Sequence, residues 1–149
     1  MYAARIQLIE NVIKPSLKKG TWVISDRHDL SSFAYQGGGC HINHQLITTL
    51  HTLVIKDFYP NLIFYLDVDP KISLQRIRLR GALDRIENKD INFFIRTRNE
   101  YLRLIKNKPN IITINANLAI HIVENQLKQK LKQWLKNSNA MVSMVNKNL

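Results

Sequence analysis

Apolar residues in the first nineteen positions recur at helical spacing: Ile6, Ile9, Val12 or Ile13, and Leu17 form one stripe, with Gly20 just past its end. Pro15 lies inside this helix and is expected to kink its last turn. "TWVISD", residues 21 to 26, reads as a short strand. After three glycines, "NHQLITTLHTLVI" recovers a helical period, and "LIFYLDVDP" is a near-continuous apolar run of the kind fully buried parallel strands show. Residues 71 to 80, "KISLQRIRLR", read as a helix closed by Gly81. Asp90 is expected to cap the next helix, in which Ile91, Phe94, Ile95, Leu102 and Ile105 share a face. "NIITINA" is a third strand, and residues 118 to 136 form a last helix with Ile122, Leu127, Leu131, Trp134 and Leu135 as its apolar residues. The tail, residues 137 to 149, has no firm period and is expected to fray. There are no internal repeats and no low-complexity linker.

Strands alternating with helices imply an α/β domain whose parallel sheet is covered on both faces. Ligands bind such sheets beyond the carboxyl ends of the strands. Asp26, Arg27 and His28 stand at one such end, and Asp67 and Asp69 at another.

At 149 residues the chain fits one domain with a substantial core, and its hydrophobic share of 45% agrees. No apolar run is long enough to span a bilayer, and "MYAARIQLIE" lacks the order of a secretory signal, so a soluble cytoplasmic protein is expected. The lone Cys40 suits a reducing compartment. A net charge of +11 favours an anionic partner: nucleic acid, a membrane surface or a phosphorylated small molecule. A chain this rich in Lys, Asn and Ile can gain positive charge without a binding surface, so the clustered arginines carry more information than the lysines.

Arg27, with Ser31, Ser32, Tyr35 and Gln36 close behind, offers a guanidinium fork for phosphate and neutral hydrogen-bonding groups for a sugar or base, a set that suits a nucleotide. The plainer alternative is a structural Asp26–Arg27 ion pair. "QGGG" lacks the spacing of a phosphate-binding loop and reads as a flexible turn. In "QRIRLRGALDRIE", Arg76, Arg78, Arg80 and Arg85 could close over a site and neutralise phosphoryl oxygens, or form a solvated basic face. The five histidines give only the weak His41/His44 pair, and no metal site is assigned. Asp67 and Asp69 meet Mg²⁺, meet an arginine, or act as caps. Lys128, Lys130, Lys132 and Lys136 flank the apolar stripe of the last helix, which is read as sheet cover rather than as a membrane or nucleic-acid surface.

Together these segments resemble bacterial thymidylate kinases. "ISDRHDLSSFAYQ" matches that family's signature, and "YAARIQ", "FYLDV", "RGALDRIE" and "FFIRTRNEYL" look like family segments in the right order, covering the chain to about residue 136. The resemblance implies a nucleoside monophosphate kinase, transferring a phosphoryl group from ATP to dTMP to give ADP and dTDP, with Mg²⁺ accompanying ATP. It implies Arg27 on the acceptor phosphate with Asp26 beside it, Arg5 on the thymine edge, Tyr35 near the deoxyribose, and Ser32 and Gln36 lining the pocket. It places Arg76, Arg78, Arg80 and Arg85 in a lid, about residues 75 to 90, on the ATP phosphates. A cytoplasmic homodimer is implied, with the first helix and the helix after the glycines as its interface, and neither membrane nor nucleic acid as a partner.

The departures from the family pattern lie at the start. Family members begin further upstream, with a strand, a phosphate-binding loop bearing a lysine, and an acidic residue. Met1 stands where the family has a phenylalanine, and Cys40 where close relatives have an arginine. The expected fold is thus a P-loop-kinase-like doubly wound sheet without its first, central strand and phosphate loop, in which residues 1 to 136 are the C-terminal two-thirds of a kinase domain. Without that strand, two unpaired edges would stand about 10 Å apart. The chain alone is then expected to be poorly stable, aggregation-prone or completed by a separate fragment. A catalytically inactive remnant that binds nucleotides or nucleic acid is the alternative function.

Overall fold

The helical period at the start of the chain folds as one rod with a widened turn inside it. In the computed structural model, which describes residues 2–81 and 84–145 with side chains to residue 138, α1 (Tyr2–Leu8) passes into a π-helical turn, Ile9–Ile13, and then into α2 (Lys14–Lys18). Pro15 has no N–H to give and would crowd the carbonyl four residues back; the wider turn just before it relieves both problems. The widened turn also decides which neighbour faces inward: Ile13 is buried and Val12 is exposed. Ile9, Ile13, Tyr2 and Ile55 form the buried cluster on which Val23, Val54 and Phe58 pack.

Residues 21 to 25 form no strand. A strand is held by a neighbour's hydrogen bonds, and among the described residues this segment has no strand beside it. Trp22 and Ile24 are 70% and 96% exposed as a result. The sheet therefore holds two of the three expected strands, β1 (Ile63–Asp67) and β2 (Ile111–Asn115), parallel and in register from Ile63 opposite Ile111 to Asp67 opposite Asn115.

From Arg27 the chain turns into α3 (Asp29–Ser32), which continues without a break into a second π-helical segment, Phe33–Gly39, followed by α4 (His44–Val54). Asn43 caps α4, its side-chain oxygen accepting from the Gln45 N–H at 2.7 Å. The strand-to-helix turns follow the sequence expectation. Asp69 accepts from Lys71 N–H at the start of α5 (Pro70–Arg80), with Pro70 in the first turn, and Gly81 ends that helix at φ +107°. Asp90 accepts from Phe93 N–H to cap α6 (Ile91–Ile105). The last helix, α7 (Ile120–Val145), runs past residue 136, where the apolar period lapses; residues 146 to 149 lie outside those described. Trp134 of α7 meets Trp22 edge-on, with ring centroids 6.4 Å apart.

"QGGG" is not a flexible turn. The glycine segment is helical and packs more extensively on α6 than any other pair of elements packs together. A Cβ on Gly38 would lie 2.6 Å from Glu100 Cβ, and one on Gly39 would lie 2.5 Å from the Phe93 ring and 2.6 Å from Thr97 Oγ1. Only hydrogen fits in these positions. The same contact corrects the buried face expected for α6: Phe93 and Thr97 are buried against the glycines, whereas Ile95 is 40% exposed. An apolar stripe does not reveal which face meets a surface without side chains.

Gly39→Ala is expected to destabilise the chain by about 1–3 kcal/mol through overpacking against Phe93 and Thr97. Urea unfolding checks this, as a lowered midpoint at unchanged slope.

Candidate functional site

The backbone bends at residues 26 and 27 before α3, and Arg27 takes that bend at φ +64°, the left-handed region that costs a residue with a Cβ on the order of 1 kcal/mol or more. Ser25 Oγ donates to the Arg27 carbonyl at 2.9 Å and braces the turn. The Arg27 side chain is exposed, with its guanidinium over the Tyr35 ring at 4.9 Å. Asp26 is exposed beside it, and among the described residues the two form no ion pair. Tyr35 in turn packs on Phe93 and Tyr101, with centroids at 6.0 and 6.2 Å. The π-helical segment thus fixes the ring on which Arg27 rests.

Arg5 crosses from α1 to α3. Its Nη1 donates to Ser32 Oγ at 2.9 Å and to Asp29 Oδ1 at 3.3 Å, and its Nη2 donates to the His28 carbonyl at 3.4 Å. Ser32 is fully buried, and Gln36 Oε1 is buried without a hydrogen bond among the described residues. Burial, reinforced by nearby Asp29, raises the Tyr2 phenol to about 12. Burial likewise lowers His28, with the Arg5 charge acting in the same direction. Arg5, Ser32, Arg27, Tyr35 and Gln36 are therefore gathered on or beside one helical segment. Met1 lies outside the described residues.

The four arginines expected in a lid are employed differently. Arg76 is tied to the loop after β2, donating to the carbonyls of Ala116, Asn117 and Leu118 at 2.6, 3.0 and 3.2 Å. Arg80 pairs with Glu87 at 2.5 Å, and Asp84 Oδ1 accepts from the N–H groups of Ile86 and Glu87, which depress its carboxyl. Arg78 lines a cleft of about 380 Å³ between α5 and the start of α6, with Lys71, Lys89 and Asp90. Arg85 is exposed and, among the described residues, makes no hydrogen bond or ion pair. Residues 82 and 83 of the expected lid lie outside those described.

With this geometry in place, comparison with known proteins gives a consistent result. The thymidylate kinase family model matches residues 1–127. Over 135 residues the chain is 56% identical to a thymidylate kinase of Buchnera aphidicola subsp. Schizaphis graminum. It is 53% identical to one from Vibrio vulnificus and 51% to one from Vibrio parahaemolyticus over the same length. The chain belongs to the thymidylate kinase family. Each alignment covers 91% of this chain and 64% of the relative, so the chain spans somewhat less than two-thirds of the curated thymidylate kinases it matches.

Two aspartates at the strand ends have structural work in this thymidylate kinase family member. Asp67 receives a two-pronged contact from Arg98, Nε to Oδ1 at 2.7 Å and Nη2 to Oδ2 at 2.8 Å, and Asp69 caps α5. Among the described residues no three His, Cys, Asp or Glu side chains form a group that could hold a metal ion.

The sequence reading passed over Asp29, His51, Arg98 and Tyr101. Tyr101 packs on Tyr65 with centroids 5.0 Å apart, and its hydroxyl hydrogen-bonds Ser31 Oγ at 2.7 Å, so it braces the ring stack under Arg27 from α6. Burial pushes its phenol up, as it does that of Tyr65. Arg98 was foreshadowed only by Asp67, for which an arginine partner was one of three options.

The Arg98 hydrogen bonds hold the Asp67 carboxyl below its ordinary value of 3.8. A carboxyl depressed by folding adds stability that is complete above its unfolded value and lost as pH falls through the folded one. Arg98→Leu is expected to raise the Asp67 titration midpoint and to flatten the loss of stability below about pH 4. Carbon-detected NMR titration of Asp67, with urea unfolding at pH 3 and pH 6, checks both.

Proposed function

We propose that this chain carries the acceptor-nucleotide pocket and the arginine lid of a thymidylate kinase, which transfers the γ-phosphoryl group of ATP to dTMP. The observation that carries the reading is Arg27, held in a strained left-handed turn with its guanidinium on the Tyr35 ring, just before the helical segment that brings Ser32 to Arg5 of α1. Backbone strain of this kind persists where surrounding structure enforces it, and it clusters at functional sites.

In the proposed reaction an oxygen of the dTMP phosphate attacks the γ-phosphorus of ATP in line. A new P–O bond forms as the bond to the β-phosphate oxygen breaks, and ADP leaves. Protein catalysis of this step is chiefly positioning and charge neutralisation. Arg27 holds the acceptor phosphate, with Asp26 beside it. The remaining donors of Arg5 face the pyrimidine edge, and Tyr35, Ser32 and Gln36 shape the sugar and base pocket. Arg78, Arg80 and Arg85 close on the donor phosphates, Arg80 by exchanging its exposed Glu87 pair for phosphoryl oxygens. Arg76, already satisfied by three carbonyls, anchors the lid helix instead. Mg²⁺ accompanying ATP would supply positive charge that neutralises the phosphoryl oxygens. The lone Cys40 and the use of ATP suit the cytoplasm, and among the described residues no helix is long and apolar enough to cross a membrane.

A second copy of the chain is the proposed partner. Leu8 and Val12 on the first rod, with Leu46 and Leu53 on the adjoining α4, are 45%, 50%, 55% and 67% exposed, an apolar surface suited to burial in a homodimer. Leu53→Lys is expected to shift the chain from dimer to monomer in sedimentation velocity. A monomeric parent chain removes this part of the proposal.

Calorimetry of the chain with dTMP, run beside an ADP-release assay with ATP and Mg²⁺, tests the main reading. Binding of dTMP is expected, weakened about tenfold or more by Arg27→Ala, the scale of one charged hydrogen bond. In an active preparation the same variant is expected to lose about 10²–10³ in turnover. Binding that ignores the variant would remove the phosphate clamp from Arg27; binding without ADP release would favour the inactive nucleotide-binding alternative.

A further inference from the structure

Among the described residues Asp29 is the only charged one that is buried, at 7% exposure, and its two oxygens serve two different helices. Oδ1 accepts from Arg5 of α1 at 3.3 Å, and Oδ2 meets His51 Nδ1 of α4 at 2.5 Å. His51 is held in turn: its Nε2 hydrogen-bonds the Tyr59 hydroxyl at 3.0 Å, and its ring packs edge-on against Phe33 at 5.8 Å. We propose that Asp29, locked by His51, is the positioning residue that aims the Arg5 guanidinium, and with it the base recognition of the acceptor pocket; the second half of this statement rests on the function proposed above.

The physical case begins with Arg5 itself. A free arginine side chain carries about 2 kcal/mol of rotamer entropy and five N–H donors. Asp29, Ser32 and the His28 carbonyl commit three of those donors, leaving the Nε–H and one Nη2–H for a ligand. Ser32 and a carbonyl are neutral acceptors. Only the carboxylate supplies a charged contact, so it dominates the aim of the fork. A carboxylate that deep is itself costly unless both oxygens are satisfied, and His51 satisfies the one that Arg5 does not. Removing His51 therefore frees Asp29 to swing, and Arg5 follows although it touches no part of His51.

Side-chain nitrogen NMR of the whole chain reads the Arg5 fork without any ligand, and dTMP calorimetry reads its use. The variants are Asp29→Asn, His51→Leu and His51→Asn, the last keeping an N–H donor where Nδ1 stood. In the parent chain the Arg5 Nη resonances are expected to be resolved, as for a guanidinium that does not rotate freely. They should collapse to an averaged signal in Asp29→Asn and His51→Leu and return in His51→Asn. The dTMP dissociation constant is expected to rise about tenfold in the first two and to recover in the third. If Asp29→Asn does not fold, the two His51 variants decide. Arg5 resonances equally well resolved in His51→Leu and the parent would overturn the proposal, whatever the nucleotide does. A rigid Arg5 that loosens on substitution, in a chain that does not bind dTMP, would uphold the positioning and remove the acceptor reading alone.

Discussion

The contact between a glycine-lined helix and the facing helix, at backbone distance, is the constraint from which the rest of the molecule follows. Because Gly38 and Gly39 present only hydrogens, Phe93, Thr97 and Glu100 of α6 can approach until no methyl group would fit between them. The Arg96 guanidinium reaches over the junction to the Gly39 carbonyl at 3.0 Å, adding a polar tie to the apolar one. With the end of the π-helical segment pinned this way, its beginning has little freedom. Tyr35 lands against Phe93 and Tyr101, Ser32 is driven into the interior, and Arg27 is forced through its left-handed turn. Packing on α6 thus positions the residues of the candidate site.

Polar contacts then finish what packing begins. Buried Asp29 and half-buried Asp67 are each met by a cation from another element, and Asp69 and Asp90 are used by helix starts. Such pairs tie α1 to α3 and the sheet to α6 where a large core does not, since among the described residues the fully buried hydrophobic ones are few and mostly belong to the first rod and its neighbours.

Much of this was legible beforehand. The apolar runs located both strands, and the caps of Asp69 and Asp90 and the stop at Gly81 follow from local chemistry that needs no tertiary context. The family resemblance rests on motif residues that the fold brings to one segment. What escaped the reading required a partner distant in the chain. The 21–25 segment has strand composition, but pairing is a property of two segments. Three glycines look mobile until a facing helix gives their smallness a purpose. Ile95 and Phe93 are equally apolar, and only the glycine surface chooses between them. His51 and Asp29 are 22 residues apart on different helices, a separation at which neither period nor motif leaves a trace.

The edge-on pair of Trp22 and Trp134 gives the molecule an optical property of its own. These are the only two tryptophans in the chain, one in the segment before α3 and the other on the last helix. Their shared environment exists only while those two distant parts of the chain lie together. Intrinsic fluorescence therefore reports on one junction rather than on an average over the protein. Any shift of the last helix relative to that segment would change the emission without a label being added.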